Sequence, residues 1–184
     1  MCVIIVRMAN SLRVGDSSSM VASITILLDG GPTMDVSIQI VPSRILAAVR
    51  RKVRIGQVGS VWQPALNQVW EFLRQHPGLR TDGHNVFLYH HPADRQSPMD
   101  VDFGVQITRP CERSGEVFST ETPAGKVAAA LHMGPYERLS ETHLAIHAWA
   151  AANNLQFAGA SWEVYGDWTE DTAKLETRIE YLLS

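Results

Sequence analysis

From residue 34 onward, hydrophobic and polar positions fall into two periods. MDVSIQIV at 34–41 alternates strictly. VFLYH at 86–90, DVDFGVQI at 100–107, the run from Lys126 to Met133, SWEVYGDW at 161–168 and ETRIEYLL at 176–183 also read as strands. A period of two, rich in Val, Ile, Tyr and Trp, is the mark of a half-buried strand. One or two strands are expected between Val36 and Ile55. Leu66, Val69, Trp70 and Leu73 recur at helical spacing, Pro64 suits a helix start, and HPGL at 76–79 supplies a stop. These signals predict a helix near 63–75. A second helix is predicted after Gly134-Pro135-Tyr136, with Leu139, His143, Ile146 and Trp149 or Ala150 along one stripe. HPADRQSPMD and GDWTEDTAK read as polar strand-joining loops.

The chain is written twice at an offset of 76 residues. Leu79 meets Leu155, Gly83 meets Gly159 and Tyr89 meets Tyr165. VFLYH lies over WEVYG, and DVDFGVQI over ETRIEYLL with the same parity: Val101, Phe103 and Val105 match Thr177, Ile179 and Tyr181, while Asp102 and Gly104 match Arg178 and Glu180. Agreement in both spacing and parity points to two similar units. Each half, about 34–110 and about 111–184, is expected to run strand, helix, strand, strand. The fold class is therefore α+β: an antiparallel sheet with two helices packed on it, related by a pseudo-twofold, with a groove between the helices.

Residues 1–33 differ. Their apolar bursts, Val3–Val6 and Ile24–Leu28, are short and broken by Arg, Ser, Gly and Asp. No run approaches the ~20 residues needed to span a bilayer, and a signal peptide fits poorly. The functional domain is expected to occupy 34–184, with 1–33 as a mobile extension or a start-site artefact. Of the 184 residues 45% are hydrophobic, and 16 basic against 19 acidic side chains give a formal charge of −3. That composition suits one domain and leaves no electrostatic footprint for nucleic acid. The single basic run, RRKVR at 50–54, alternates with apolar positions as the exposed face of a strand would. Two cysteines, Cys2 and Cys111, form neither a disulfide framework nor a zinc set, which fits a reducing cytoplasm.

Candidate chemistry centres on Glu163. It lies between Trp162 and Val164 in an apolar strand, where a carboxylate must be paired, solvated or reserved for a ligand. Its counterpart in the first half is Phe87, so the repeat has an acid where its mate has an aromatic ring. A departure from internal consistency of this kind points to function. The bland alternative is an ion pair with Arg178 or Arg109. Trp70 and Trp149 lie on apolar helical stripes and are assigned to the core. Trp168 follows the strand in a loop and could act as a lid. His143 and His147 are one turn apart but lack the intervening Glu and third ligand of a zinc protease, and His90 and His91 point to opposite strand faces. His132 is read as a satisfied strand-end residue. Gly56 and Gly59 lack the Lys-Ser/Thr of a phosphate loop, and no nucleophile elbow or dinucleotide fingerprint occurs. No metal and no cofactor is expected.

With HMGPYERL after a strand, a helix carrying a Trp near its end, and then GASWEVYGDW, the chain resembles the GyrI-like superfamily over about residues 36–183. These are the effector-binding domains of multidrug-sensing transcription activators, a gyrase inhibitor and stand-alone proteins. The resemblance implies a groove that receives flat, hydrophobic, often cationic molecules. Glu163 would be the anion, Tyr165 would stand beside it, Tyr136 at the mouth near the second helix, and Trp62 near the equivalent mouth of the other half. Phe87 and Tyr89, on the symmetric strand, would line or fill the same groove.

Three functions follow as expectations. First comes a stand-alone binder of hydrophobic, cationic or aromatic compounds, in sensing or detoxification. Second, as in relatives that open cyclopropane-bearing natural products, comes a hydrolase with Glu163 as acid/base. Third comes a protein–protein inhibitor module. The activator relatives carry a DNA-binding segment before this domain, whereas residues 1–33 lack a paired-helix pattern, so no direct nucleic-acid contact and no membrane is expected. A protein partner or a homodimer stays open.

Overall fold

The computed structural model describes residues 5–6, 24–27, 34–94 and 97–184. The expectation for residues 1–33 therefore falls mostly outside the described residues. Among the described residues ten strands occur: β1 (Ile5–Val6), β2 (Ile24–Leu27), β3 (Met34–Val41), β4 (Ile45–Val53), β5 (Arg80–His90), β6 (Met99–Ile107), β7 (Phe118–Glu121), β8 (Gly125–Met133), β9 (Phe157–Tyr165) and β10 (Glu176–Leu183). Helix α1 spans Val58–Gln75, and α2 spans Leu139–Ala152 behind a 3-10 turn at Tyr136–Arg138. The strands pair antiparallel in the order β1-β2-β3-β8-β10-β9-β5-β6-β4-β7.

Strand, helix, strand, strand thus occurs twice, as β4-α1-β5-β6 and β8-α2-β9-β10. In the middle of the sheet Phe87 lies opposite Phe103, and Glu163 lies opposite Ile179. Each residue of the second pair is the first shifted by 76. Phe87 and Glu163 are themselves partners across β5 and β9, so the pseudo-twofold axis passes between them. The position where the halves differ in chemistry is also where they meet.

Strand parity divides the core. One face of the sheet carries Val49, Val101, Phe103 and Val105, packed under Leu66, Val69 and Leu73 of α1. Further along it, Ala128, Ala130, Ile179 and Tyr181 pack under Ile146, Trp149 and Ala150 of α2. On the other face Leu46, Val86, Leu88, Val127, Ala129, Trp162 and Val164 form one cluster. β4 and β8 have four strands between them in the order, so a cluster that joins them requires the sheet to curl about this face. Fully burying each of these aliphatic side chains contributes about 1.5–3 kcal/mol.

Polar groups buried on the curled face are paired. The Asp102 carboxylate accepts from Arg50 at 2.6 and 2.7 Å and lies 2.8 Å from His90. Glu180 accepts from Arg44 at 2.9 Å, from Arg178 and from the Trp162 indole N–H. Arg51 forks onto Glu116 at 2.9 and 2.8 Å, so the RRKVR run is largely absorbed by internal ion pairs.

Two expectations are corrected. Helix α1 begins at Val58 rather than near 63, so Pro64 is inside it. Val58, Val61 and Trp62 pack on the core, and that burial outweighs the hydrogen bond the proline removes. β7, too short and polar to show a pattern, is an addition to the expected strands; it pairs with β4 at the sheet edge. Among the described residues no helix is long and apolar enough to cross a membrane.

Candidate functional site

The two helices stand apart on the sheet and leave a cleft of about 1570 Å³. Its floor is the central strands, on the face where β5 shows Phe87 and Tyr89, β9 shows Ser161, Glu163 and Tyr165, and β10 shows Tyr181. The walls differ. α1 presents Trp62, Leu66 and Trp70, spaced by four and so stacked on one helix face. α2 presents Leu139, His143 and His147 at the same spacing, with Ser140 and Leu144 beside them.

Glu163 is only 5% exposed and is held by three hydrogen bonds. The phenols of Tyr89 and Tyr165 donate to Oε2 at 2.7 and 2.5 Å, and His143 Nε2 lies 2.8 Å from Oε1. His143 Nδ1 is in turn 2.9 Å from the Tyr181 hydroxyl. Burial, then the adjacent Glu163 charge, holds both the Tyr89 and Tyr165 phenols well above the ordinary phenol range. They therefore stay protonated at neutral pH and remain donors to the carboxylate. Burial also raises Tyr136.

Aromatic rings surround the carboxylate. Phe87 sits 4.7 Å from the Tyr165 ring and 6.2 Å from Trp62, and Tyr136 meets Tyr165 edge-on at 5.4 Å. Tyr136, Trp168, Ile55 and Leu144 stand exposed at the mouth, Trp168 by 73%. Gly134, at φ +130°, turns the chain from β8 toward Tyr136 in a conformation that side-chain-bearing residues rarely adopt. Glu163, Glu137 and Asp167 line the cleft, and among the described residues no lysine or arginine does.

All six residues expected at the groove, Trp62, Phe87, Tyr89, Tyr136, Glu163 and Tyr165, line this one cleft. Trp62 does so from within α1 rather than ahead of it, a consequence of the earlier helix start. The ion-pair alternative for Glu163 is not what the structure shows. Arg178 pairs across from Val164, one residue off in parity, so it points to the opposite face and reaches Glu180 and Gln39. Arg109 donates instead to the Gly78 carbonyl at 3.2 Å. Trp149 is core as expected; Trp70 packs partly buried against the core and also lines the cleft, its indole N–H donating to Asn85 at 3.1 Å. His132 is satisfied by Thr142 and the Pro135 carbonyl. His90 and His91 do diverge, His90 to Asp102 and His91 to Ser161 on the cleft side at 2.7 Å.

Sequence reasoning missed His143 as a partner of Glu163, and Tyr181 as the partner of His143. The signal was present in part: the His143/His147 spacing put both on one helix face, and parity put Tyr181 on the face of Ile179. The chain from Tyr181 through His143 to the carboxylate depends on the distance between α2 and the sheet, which no local pattern encodes. Among the described residues no cluster of three or more His, Cys, Asp or Glu is placed to hold a metal ion.

Fold and cleft together define a small-molecule-binding α+β domain. The chain belongs to the GyrI-like family: the GyrI-like small molecule binding domain matches residues 34–183. By overall fold the chain is similar to the EcmrR C-terminal domain at a TM-score of 0.69 and 22% identity, covering 82% of this chain and 98% of that one. In a cryo-EM structure of an EcmrR–DNA complex, the chain spans 57% of the EcmrR chain it matches. It is also similar to SAV2435 bound to tetraphenylphosphonium, with a TM-score of 0.62, 14% identity and coverage of 81% and 93%. A structure described as a hydrolase from Listeria innocua matches at a TM-score of 0.50 and 12% identity, covering 81% of this chain and 91% of that one. At these identities the likeness is one of fold. No curated protein matches by sequence.

Proposed function

We propose that the cleft captures hydrophobic, aromatic cations, with Glu163 as the anionic anchor and Trp62, Phe87, Tyr89, Tyr136 and Tyr165 as the aromatic enclosure. The observation that carries this reading is the charge balance of the lining: three carboxylates, abundant aromatic surface and, among the described residues, no lysine or arginine. A cation entering such a site meets negative potential that no lysine or arginine of the lining offsets. Each well-placed ring adds about 0.5–2 kcal/mol of cation–π attraction. The cost of desolvating a delocalised organic cation is small, so the balance favours it over compact, strongly hydrated ions. That SAV2435 is seen with tetraphenylphosphonium makes that ion a reasonable first probe. The offset of 76 residues, carried into the sheet register, supports an origin by internal duplication. Sensing or detoxification is the role that such capture serves, from a cytoplasmic location, without direct contact to nucleic acid.

A second reading is favoured by one feature, the His143–Glu163 pair, which could orient a water for hydrolysis of an electrophilic ligand. The test separates the two. Tetraphenylphosphonium at 100 times its dissociation constant adds about 2.7 kcal/mol of stability, a melting shift of several degrees in a domain of this size. Glu163→Gln is expected to lose most of that shift. Equal shifts in both proteins would remove Glu163 from the site. For hydrolysis, mass analysis of an electrophilic aromatic recovered after incubation should show added water; a ligand recovered intact leaves capture as the function.

A further inference from the structure

We infer that His143 is the internal counter-ion of Glu163, and that a bound cation takes over this role, one proton leaving the imidazole for each cation captured. The inference rests on the reading above and adds a coupling that neither the fold nor the family description contains.

A carboxylate this deeply buried is costly unless its charge is compensated. Its hydrogen-bond donors on the sheet, Tyr89 and Tyr165, are neutral phenols. Arg178, on the adjoining strand β10, lies on the opposite sheet face and serves Glu180, as does Arg44 ahead of β4. His143, whose Nε2 is 2.8 Å from Oε1, is the group in contact with Glu163 that can gain a positive charge. Imidazole is also the side chain whose charge ordinarily changes near neutrality.

The geometry accommodates both protonation states. When His143 is neutral, its Nε2–H donates to Glu163 and its Nδ1 accepts from the Tyr181 hydroxyl, at 2.9 Å. When it is protonated, Nδ1–H becomes a donor, and the Tyr181 hydroxyl need only rotate to accept. No heavy atom has to move. The pair can therefore exchange a proton while the cleft stays built.

A cation held against Glu163 occupies the same enclosure as His143. Two positive charges beside one carboxylate repel, so ligand binding and imidazole protonation oppose each other by reciprocal linkage. On binding, one N–H bond of the imidazolium breaks, its electron pair stays on nitrogen and the proton passes to solvent. Other titratable groups face the pair. From β5 come Tyr89 and, just beyond it, His91; from β9 comes Tyr165; from β10 comes Tyr181; His147 lies one turn along α2. Tyr136 and Glu137 precede α2, and Asp167 follows β9. The Tyr89 and Tyr165 phenols are held protonated by burial and the Glu163 charge, and carboxylic acids ordinarily titrate well below neutrality. His91 and His147 are the competing explanations, and the variant below distinguishes them.

The test measures the affinity of the full chain for tetraphenylphosphonium, whose charge is permanent, between about pH 5.5 and about pH 8.5. Triphenylphosphine oxide serves as the neutral comparison. In the wild type the affinity for the cation is expected to rise with pH, approaching about tenfold per pH unit on the acid side and levelling above it. The neutral compound is expected to show no such slope. His143→Gln, which keeps a donor toward Glu163 but cannot charge, is expected to bind the cation with a flat profile and more tightly than the wild type at the acid end. Calorimetry in two buffers of different ionisation enthalpy should register close to one proton released by the wild type and none by the variant. Cation binding without a slope overturns the inference while leaving the capture reading intact. A slope that survives His143→Gln overturns it in favour of another imidazole. An equal slope for the neutral compound overturns it in favour of a pH effect on the fold. If tetraphenylphosphonium binds at no pH, the capture reading fails, and the inference with it.

Discussion

The two halves of the molecule share an element order and a strand register, yet they place their ionisable groups differently. In the first half the central position of β5 is Phe87, packed among Phe103, Tyr165 and Trp62 in tilted and edge-on contacts, and α1 shows the cleft two tryptophans and a leucine. In the second half the matching position of β9 is Glu163, and α2 shows the cleft two imidazoles. On the curled face the halves differ again. Asp102 in β6 is matched by Arg178 in β10, and Gly104 by Glu180. A Cβ on Gly104 would come within 3.0 Å of the Ala47 carbonyl oxygen, so the first half has no room for the acid that the second half buries. The same order of elements thus supports an apolar wall and an ionisable wall facing each other across one cleft. An enclosure of that kind can discriminate by charge as well as by shape, which two copies of either wall could not do.

The sharpest way to break the comparison is through the buried carboxylates. Asp102 has one arginine partner and a histidine, whereas Glu180 has two arginines and an indole. Arg50→Met should leave Asp102 buried with His90 alone. With a discount for the partial exposure of Arg50, the cost is about 2–3 kcal/mol, a fall in Tm of about 5–10 °C. Arg178→Met leaves Arg44 on Glu180 and should cost roughly half as much. Equal losses measured by thermal unfolding would mean that the second arginine does not compensate for the first.

A smaller effect is expected at the apolar wall. Trp62→Ala removes a ring near Phe87 and should weaken tetraphenylphosphonium binding by about 2- to 30-fold, the equivalent of about 0.5–2 kcal/mol, beside the loss of Tm that follows from its packing on the core. If affinity is unchanged by titration calorimetry, the cation sits against the α2 wall alone.

The smallest effect at neutral pH is the acid response. Burial pushes the Asp102 carboxyl up, but the hydrogen bonds from Arg50 and then His90 outweigh it and hold the group below the usual carboxylate range. A depressed native value means that stability is present above the unfolded value of about 3.9 and is lost as pH falls through the native one. Asp102→Asn should therefore flatten the acid limb of Tm against pH. Parallel curves for the two proteins would show that Asp102 contributes nothing to acid unfolding.

Much of this architecture is legible in the amino-acid order alone. Alternation locates the principal strands of the domain, and helical spacing locates both helices, because core-facing side chains must recur with the period of the backbone. The start of α1 at Val58 is not legible in the same way, because Pro64 is a genuine start signal, overruled here by the packing of Val58, Val61 and Trp62. Glu163 stands out as an acid in an apolar strand, and its mate Phe87 shows that the fold does not require it. Pattern shows only half of Trp70, because an apolar stripe looks the same whether it faces a core alone or a core and a lined cleft.

What the amino-acid order determined by itself was which residues share a face. The offset of 76 set β5 against β9 in kind, and parity put Phe87 with Tyr89, and Glu163 with Tyr165, on one face of their own strands. What only the tertiary structure decided was how far the two helices stand apart and which groups satisfy the buried carboxylate. Periodicity is a local property, imposed by the geometry of a single strand or helix. The partner of a buried charge is a long-range property, set by register across the sheet and by the seat of α2 upon it. Tyr89, 74 residues away in the chain, and His143, 20 residues away, meet at Glu163 for that reason.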